Sequence, residues 1–152
     1  MNVKIKLSIR NNPLTPTLKR MLNALSKSGR KAVMLEMGRE LLNITQEQFG
    51  PDKPNRPAPW PPLSDSYKKK IKYFGPPKLI LSGALHDSFT IRATSTEVFV
   101  TAHKPYAEYQ QFGTNKMPMR PYFPVVDGEL TPYAEERIRE RGEAAVILLS
   151  EG

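Results

Sequence analysis

Residues 88–102 read SFTIRATSTEVFVTA. Phe89 and Ile91 share one face of the first half, and Val98 and Val100 share one face of the second. This period of two, in aromatic and β-branched residues, marks two strands that each bury one side. The small polar run from Ala93 to Thr96 turns the chain back, so the pair reads as an antiparallel hairpin. A lone hairpin is marginal in water, so the rest of the chain must supply a sheet partner and helices to cover it.

The sheet partner is expected at the N-terminus. Val3, Ile5, Leu7 and Ile9 alternate there with Lys4, Lys6, Ser8 and Arg10, and Asn11, Asn12 and Pro13 end the run. Thr15 and Pro16 then mark a helix start, because a hydroxyl caps free N–H groups and proline is pre-set for the first helical position. Leu14, Leu18, Met21, Leu22 and Leu25 follow at helical spacing. Ser28 and Gly29 are expected to break or bend this helix. A second helix is expected from about Arg30 to Phe49, with Met34, Met37, Leu41 and Ile44 on one stripe and Leu35, Leu42 and Phe49 on the next. So wide an apolar arc belongs to a helix laid on a core.

Six prolines between residues 51 and 62 rule out regular helix or a central strand. Trp60 is an anchor that a disordered linker would waste, so this stretch reads as an ordered surface arm or loop. YKKKIKYF, residues 67–74, has two readings. It is a short amphipathic helix with Tyr67, Ile71 and Phe74 inward, or a single-strand binder that stacks bases and touches phosphates. Ser82 can cap a turn or two in SGALHDS. After the hairpin, Pro105 opens a short helix carrying YAEYQQF, with Tyr106 and Phe112 expected to pack inward and Gly113 to stop it. A last helix is expected over residues 127–150, capped by Thr131 and Pro132 or slightly earlier. Its Glu135, Glu136, Glu140 and Glu143 alternate with Arg137, Arg139 and Arg141, which reads as a solvated, salt-bridged face with a Glu135–Arg139 pair. The apolar run AAVILL, residues 144–149, is either core or a docking tail for a partner subunit. The expected fold class is α+β: a small antiparallel sheet of the N-terminal strand and the central hairpin, packed with two or more helices, a Pro-rich arm and a C-terminal helix.

A chain of 152 residues suits one domain, here residues 1–152. It has no Cys, so no disulfide frame or thiolate metal site, and MNVKIKLSIRNNP is no signal peptide. No stretch approaches the roughly 20 apolar residues that span a bilayer, so no membrane partner is expected. Residues 1–50 carry nine Lys/Arg against three Asp/Glu, residues 51–80 seven against two, and residues 81–152 seven against ten, for a net charge of +8. A basic front and a slightly acidic back can bind a polyanion or stack copy against copy.

Only His86 and His103 are present, too few for a zinc site without Cys. Ser82, His86 and Asp87 lie close in sequence but lack an oxyanion hole or nucleophile elbow. Neither GxxxxGK[ST] nor GxGxxG occurs. The expectation is therefore no enzyme, no cofactor and no metal.

The ordered set Trp60-Pro-Pro-Leu-Ser64, Tyr67 with Lys70, LILSGALHDSF over residues 79–89, the hairpin, YAEYQQFGT over 106–114 and MPMRPYF over 117–123 closely resembles the bacteriophage virion morphogenesis, or tail completion, family, which is related to neck proteins of long-tailed phages. The resemblance spans roughly residues 30–125. Gln110 stands where many members have His, Ser82 replaces a usual Thr, and Tyr122 intrudes after Arg-Pro. The resemblance implies a structural virion protein, made in the host cytoplasm and built into the tail or neck. It implies a homo-oligomer, a hexameric ring at the head-proximal end of the tail, meeting tail tube or sheath and head–tail connector proteins.

A ring needs a heterologous interface, and aromatic, Met and Arg side chains are the usual interface anchors. The contact residues expected on that ground are Trp60, Tyr109, Phe112, Thr114, Met117, Met119, Arg120, Tyr122 and Phe123, with the turn from Thr114 to Arg120 having no local reason to be buried. The alternative is a basic nucleic-acid-binding module built on Lys68, Lys69, Lys70 and Lys72. Nonspecific contact with DNA passing through a ring would join the two readings.

Overall fold

The computed structural model describes residues 3–8, 16–49, 53–61, 87–104, 107–115 and 119–151. The N-terminal strand β1 (Val3–Ser8) and the hairpin strands β2 (Thr90–Ala93) and β3 (Glu97–Ala102) form one antiparallel sheet in the order β1-β3-β2. Ile5 and Ile91 both lie opposite Val100, so the alternation read from the sequence converges on one register. Val3, Leu7, Val98 and Val100 are buried on that side, while Lys4 and Lys6 are exposed. The turn is held by Thr94, whose Oγ1 accepts from the Glu97 N–H at 3.0 Å.

Helix α1 (Pro16–Asn23) is followed by α2 (Lys27–Glu47), the central element of the fold. The boundary between them differs from expectation. Ser26 is the cap, its hydroxyl accepting from Gly29 N–H at 3.1 Å, so Ser28 and Gly29 lie inside the first turn of α2. A serine cap three residues before the glycine starts the helix at Lys27, and nothing in the Gly29 backbone stops it.

One side of α2 faces β2 and β3, and the other faces α4 (Pro132–Glu151). Met34, Met37, Leu41 and Ile44 are fully buried, and Val33 on the adjoining stripe is too. Gly38 marks the close approach to the sheet: a β-carbon there would stand 2.5 Å from Val98 Cγ2 and 3.1 Å from Ile91 Cγ2. Gly142 does the same for the helices, where a β-carbon would meet Met37 Sδ at 3.0 Å and Leu18 Cδ2 at 3.3 Å. Two glycines thus let three layers close to packing distance.

After β3 comes α3 (Ala107–Phe112), ended by Gly113 at φ 74, as its left-handed propensity requires. The last helix begins at Pro132 rather than near residue 127, with Thr131 Oγ1 accepting from Ala134 N–H at 3.3 Å as its cap. Residues 125–130 are instead a second, two-stranded sheet, β4 (Val125–Val126) and β5 (Glu129–Leu130), with Val125 opposite Leu130. Asp127 (φ 51) and Gly128 (φ 82) make its two-residue loop, and positive φ at both positions gives the twist that a tight hairpin needs.

Candidate assembly surface

The Pro-rich stretch and the Arg-Pro-aromatic stretch, some sixty residues apart in sequence, are tied to each other. Trp60 Nε1–H donates to the Pro121 carbonyl at 2.9 Å, and Arg120 Nε and Nη2 donate back to the Pro61 carbonyl at 3.3 and 3.1 Å. The Arg56 guanidinium lies 3.5 Å from the centre of the Trp60 ring and donates through Nε and Nη2 to the Gln48 carbonyl, at 2.9 and 2.6 Å. Proline supplies carbonyls without competing N–H groups, so each staple uses an acceptor that no local turn consumes.

The staple closes over an aromatic cluster. Phe49 stacks on Tyr122 at 5.7 Å and meets Trp60 edge-on at 6.0 Å, while Phe89 meets Tyr122 and Phe123 at 5.8 and 5.7 Å. Gln111, on the inner face of α3, accepts from the backbone N–H groups of both Tyr122 and Phe123 through Oε1, each at 3.0 Å. The Tyr122 hydroxyl donates to the Ala107 carbonyl at 2.6 Å, and burial pushes its pKa well up. Extended backbone that belongs to no sheet must find its partners elsewhere, and here a glutamine side chain provides them.

These facts correct the expected surface placement of four residues. Trp60 and Arg120 are only 6% and 7% exposed, and Tyr122 and Phe123 are fully buried. All four pack within the chain's own fold. The reason Arg120 goes inside is the Pro61 carbonyl, which the turn 114–120 by itself could not reveal. Phe112 had two readings, packing inward and serving as a contact residue, and at 66% exposed it does not pack inward. On a helix of six residues Gln111 and Ala107 take the inner face, which turns Tyr109 and Phe112 outward. Tyr109 is 51% exposed, Met119 49%, and Thr114 is exposed. Met117, Tyr106, Ser82, His86 and the lysines at 68, 69, 70 and 72 lie outside the described residues.

Phe112 also borders a cleft of about 670 Å³. Four successive β1 residues, Lys4 to Leu7, form one wall, and Val125, Gly128, Glu129, Leu130 and Glu135 form the other. Successive side chains of a strand point to opposite faces, so four in a row bordering one cleft means that the outer edge of β1 faces it. The β4–β5 hairpin builds the far wall. Its signal in the sequence was Asp127-Gly128 between Val126 and Glu129, which the reading of 127–150 as helix absorbed.

Helix α4 splits along its length. Arg137 bridges to Glu40 and, at 2.7 Å, to Glu47; Arg141 binds Glu36 and Glu40 on α2 at 2.7 and 2.8 Å. The expected solvated face is therefore partly an inter-helix seam, and the ion pair formed by Arg139 is with Glu143. The Arg141 guanidinium holds the Glu36 carboxyl below its ordinary pKa, with Arg39 adding to it, and the hydrogen bonds that Arg137 donates to the Glu47 carboxylate raise its own. Beyond this seam, AAVILL divides. Val146 is buried, but Ile147 is 50%, Leu148 70% and Leu149 44% exposed.

Among the described residues no group of His, Cys, Asp and Glu could hold a metal ion, and no helix is long and apolar enough to cross a membrane. His103 Nε2 is hydrogen-bonded to Thr90 Oγ1 at 2.6 Å. What the geometry offers is a small α+β fold closed by an aromatic staple, with apolar side chains displayed on α3, Met119, the β4–β5 hairpin and the tip of α4. The chain belongs to the phage virion morphogenesis family, which it matches over residues 9–146, farther in both directions than the motifs alone reach. That membership carries a part in building a phage particle. No curated protein matches the chain significantly, and neither does a solved structure.

Proposed function

We propose that this chain is a structural subunit that completes the phage tail at its head-proximal end and makes it competent to join the head, working as a hexameric ring. The observation that carries the reading is the family match over residues 9–146, which takes in the central hairpin, the staple and the helices, apart from the last turn of α4. The surface supports it. Tyr109 and Phe112 stand outward on α3, whose inner face is fixed by Gln111, and Thr114 and Met119 are exposed as well, so these contacts are displayed on a fold held from inside. In the ring, these side chains meet the next copy, the tail tube or sheath, or the connector. The basic surplus of the first 80 residues fits weak, nonspecific contact with DNA in passage.

The test is reconstitution. A lysate of the phage or prophage lacking this chain should hold filled heads and separate tails, and the purified protein should restore joined particles. Joined particles without it, or no joining after its addition, would remove the assignment.

A further inference from the structure

The sheet has two faces, and only the one carrying Val98, Val100 and Ile91 packs on α2. The register places Lys4, Lys6, Phe99, Thr101, Thr90 and Arg92 on the other. Across its middle run Lys6, Phe99 and Arg92, one from each strand, and the next row is Lys4, Thr101 and Thr90. Lys4, Lys6, Thr90 and Arg92 are exposed, and Phe99 and Thr101 are partly so. The three strands together hold three basic residues and one acidic residue, and all four lie on this face.

Lys4 Nζ stands 4.9 Å from the centre of the Phe99 ring. Neither Lys4 nor Arg92 forms an ion pair among the described residues. The one carboxylate, Glu97, lies at the end of the face and meets Lys6 at 3.4 Å in an exposed pair. Glu129 and Glu135, across the cleft from β1, pair with neither lysine. The face therefore carries a surplus of two positive charges around one aromatic ring, and the core has no use for any of them. From this arrangement we infer that the outer face of the sheet binds the phosphate backbone of duplex DNA, with Lys4, Lys6 and Arg92 as its cations. The inference deepens the DNA contact of the ring reading above and rests on it only for the source of the DNA.

The chemistry of the row favours backbone over base. With Lys4 above it, the Phe99 ring holds a charge in place instead of offering a bare surface on which a base can stack. Thr101 adds a hydroxyl, another usual partner of phosphate oxygens. The Lys6–Glu97 pair is exposed and so worth little, which lets a phosphate compete for the lysine. Cations spread over all three strands suit a chain of phosphates better than one small anion.

The test is fluorescence anisotropy of the full chain with a labelled short duplex over a salt series. Three phosphate contacts predict that log K falls with log salt at a slope of about −2.7, a loss of about 40-fold between roughly 50 and 200 mM. Lys4→Gln with Arg92→Gln should cut the slope to about −0.9 and the loss to about 3-fold, with circular dichroism unchanged. Lys27→Gln with Lys31→Gln, the same charge change at exposed positions on α2, is the control and should keep the slope of the parent. Equal weakening by both pairs would mean that net charge alone attracts DNA, which overturns the inference. Binding of an unpaired strand but not of the duplex would overturn it as well, because Phe99 would then be a stacking platform. A parent chain that ignores duplex at low salt yet restores joined particles would remove this face and leave the tail reading intact; failure in both assays would remove both.

Discussion

Gln111 is where the account commits most to a single side chain. Its Oε1 takes the N–H groups of both Tyr122 and Phe123, in a place where both residues are fully buried. Gln111→Met keeps the length and volume of the side chain but removes the acceptor. Each orphaned buried donor costs about 1–3 kcal/mol, so the pair should cost roughly 2–5 kcal/mol after some relaxation. That is a large part of the 5–15 kcal/mol or so that holds a domain together. The assay is urea unfolding followed both by far-ultraviolet circular dichroism and by the fluorescence of the single Trp60, which sits in the same staple. The two midpoints should fall together in the variant, because arm and core are one cooperative unit. Phe112→Ala, next along α3 and 66% exposed, is the control and should change stability by no more than about 0.5 kcal/mol. A Gln111→Met protein as stable as the parent would refute the view that this glutamine organises the segment.

Arg120→Ala should lower stability by about 1.5–3 kcal/mol, the range for hydrogen bonds to a charged group, and shift Trp60 emission to the red as the arm loosens; a fully stable variant with unchanged emission would return Arg120 to the surface. Gly38→Ala should destabilise by about 1–3 kcal/mol in spite of a gain in helix propensity of about 1 kcal/mol, because the new methyl meets Val98 Cγ2; a stabilised variant in thermal unfolding would contradict the packing of α2 on the sheet. The hydroxyl of Tyr122 has its pKa raised by burial, so its protonated form favours the fold. Its contribution is full below the ordinary value near 10 and is lost as pH rises above it, by about 1.4 kcal/mol per unit. Unfolding midpoints taken from neutral to alkaline pH should therefore fall more steeply for the parent than for Tyr122→Phe, and equal slopes would disprove the point.

Much of this fold could be read directly. Period-two alternation located β1 and the central hairpin, and the spacing of Met34, Met37, Leu41 and Ile44 located α2, because one-sided burial writes itself into the sequence. Thr131 and Pro132 marked the cap of α4 through local capping chemistry, although the expected range of 127–150 began too early. What failed was non-local. Whether Trp60, Arg120, Tyr122 and Phe123 face in or out depends on two segments meeting across some sixty residues, and their composition suits a core and an interface equally well. The roles of Gly38 and Gly142 likewise appear only once the layers are stacked, since a helical glycine signals nothing by itself. Of the contact residues expected from the sequence and described in the structure, Tyr109, Phe112, Thr114 and Met119 remain outward.

The most direct measurement is electron microscopy of purified tails lacking this subunit, with and without the added protein. The account predicts a ring of added density at the head-proximal end only, with six-fold symmetry when viewed along the tail. Bare ends after addition, or density spread along the tube, would contradict it.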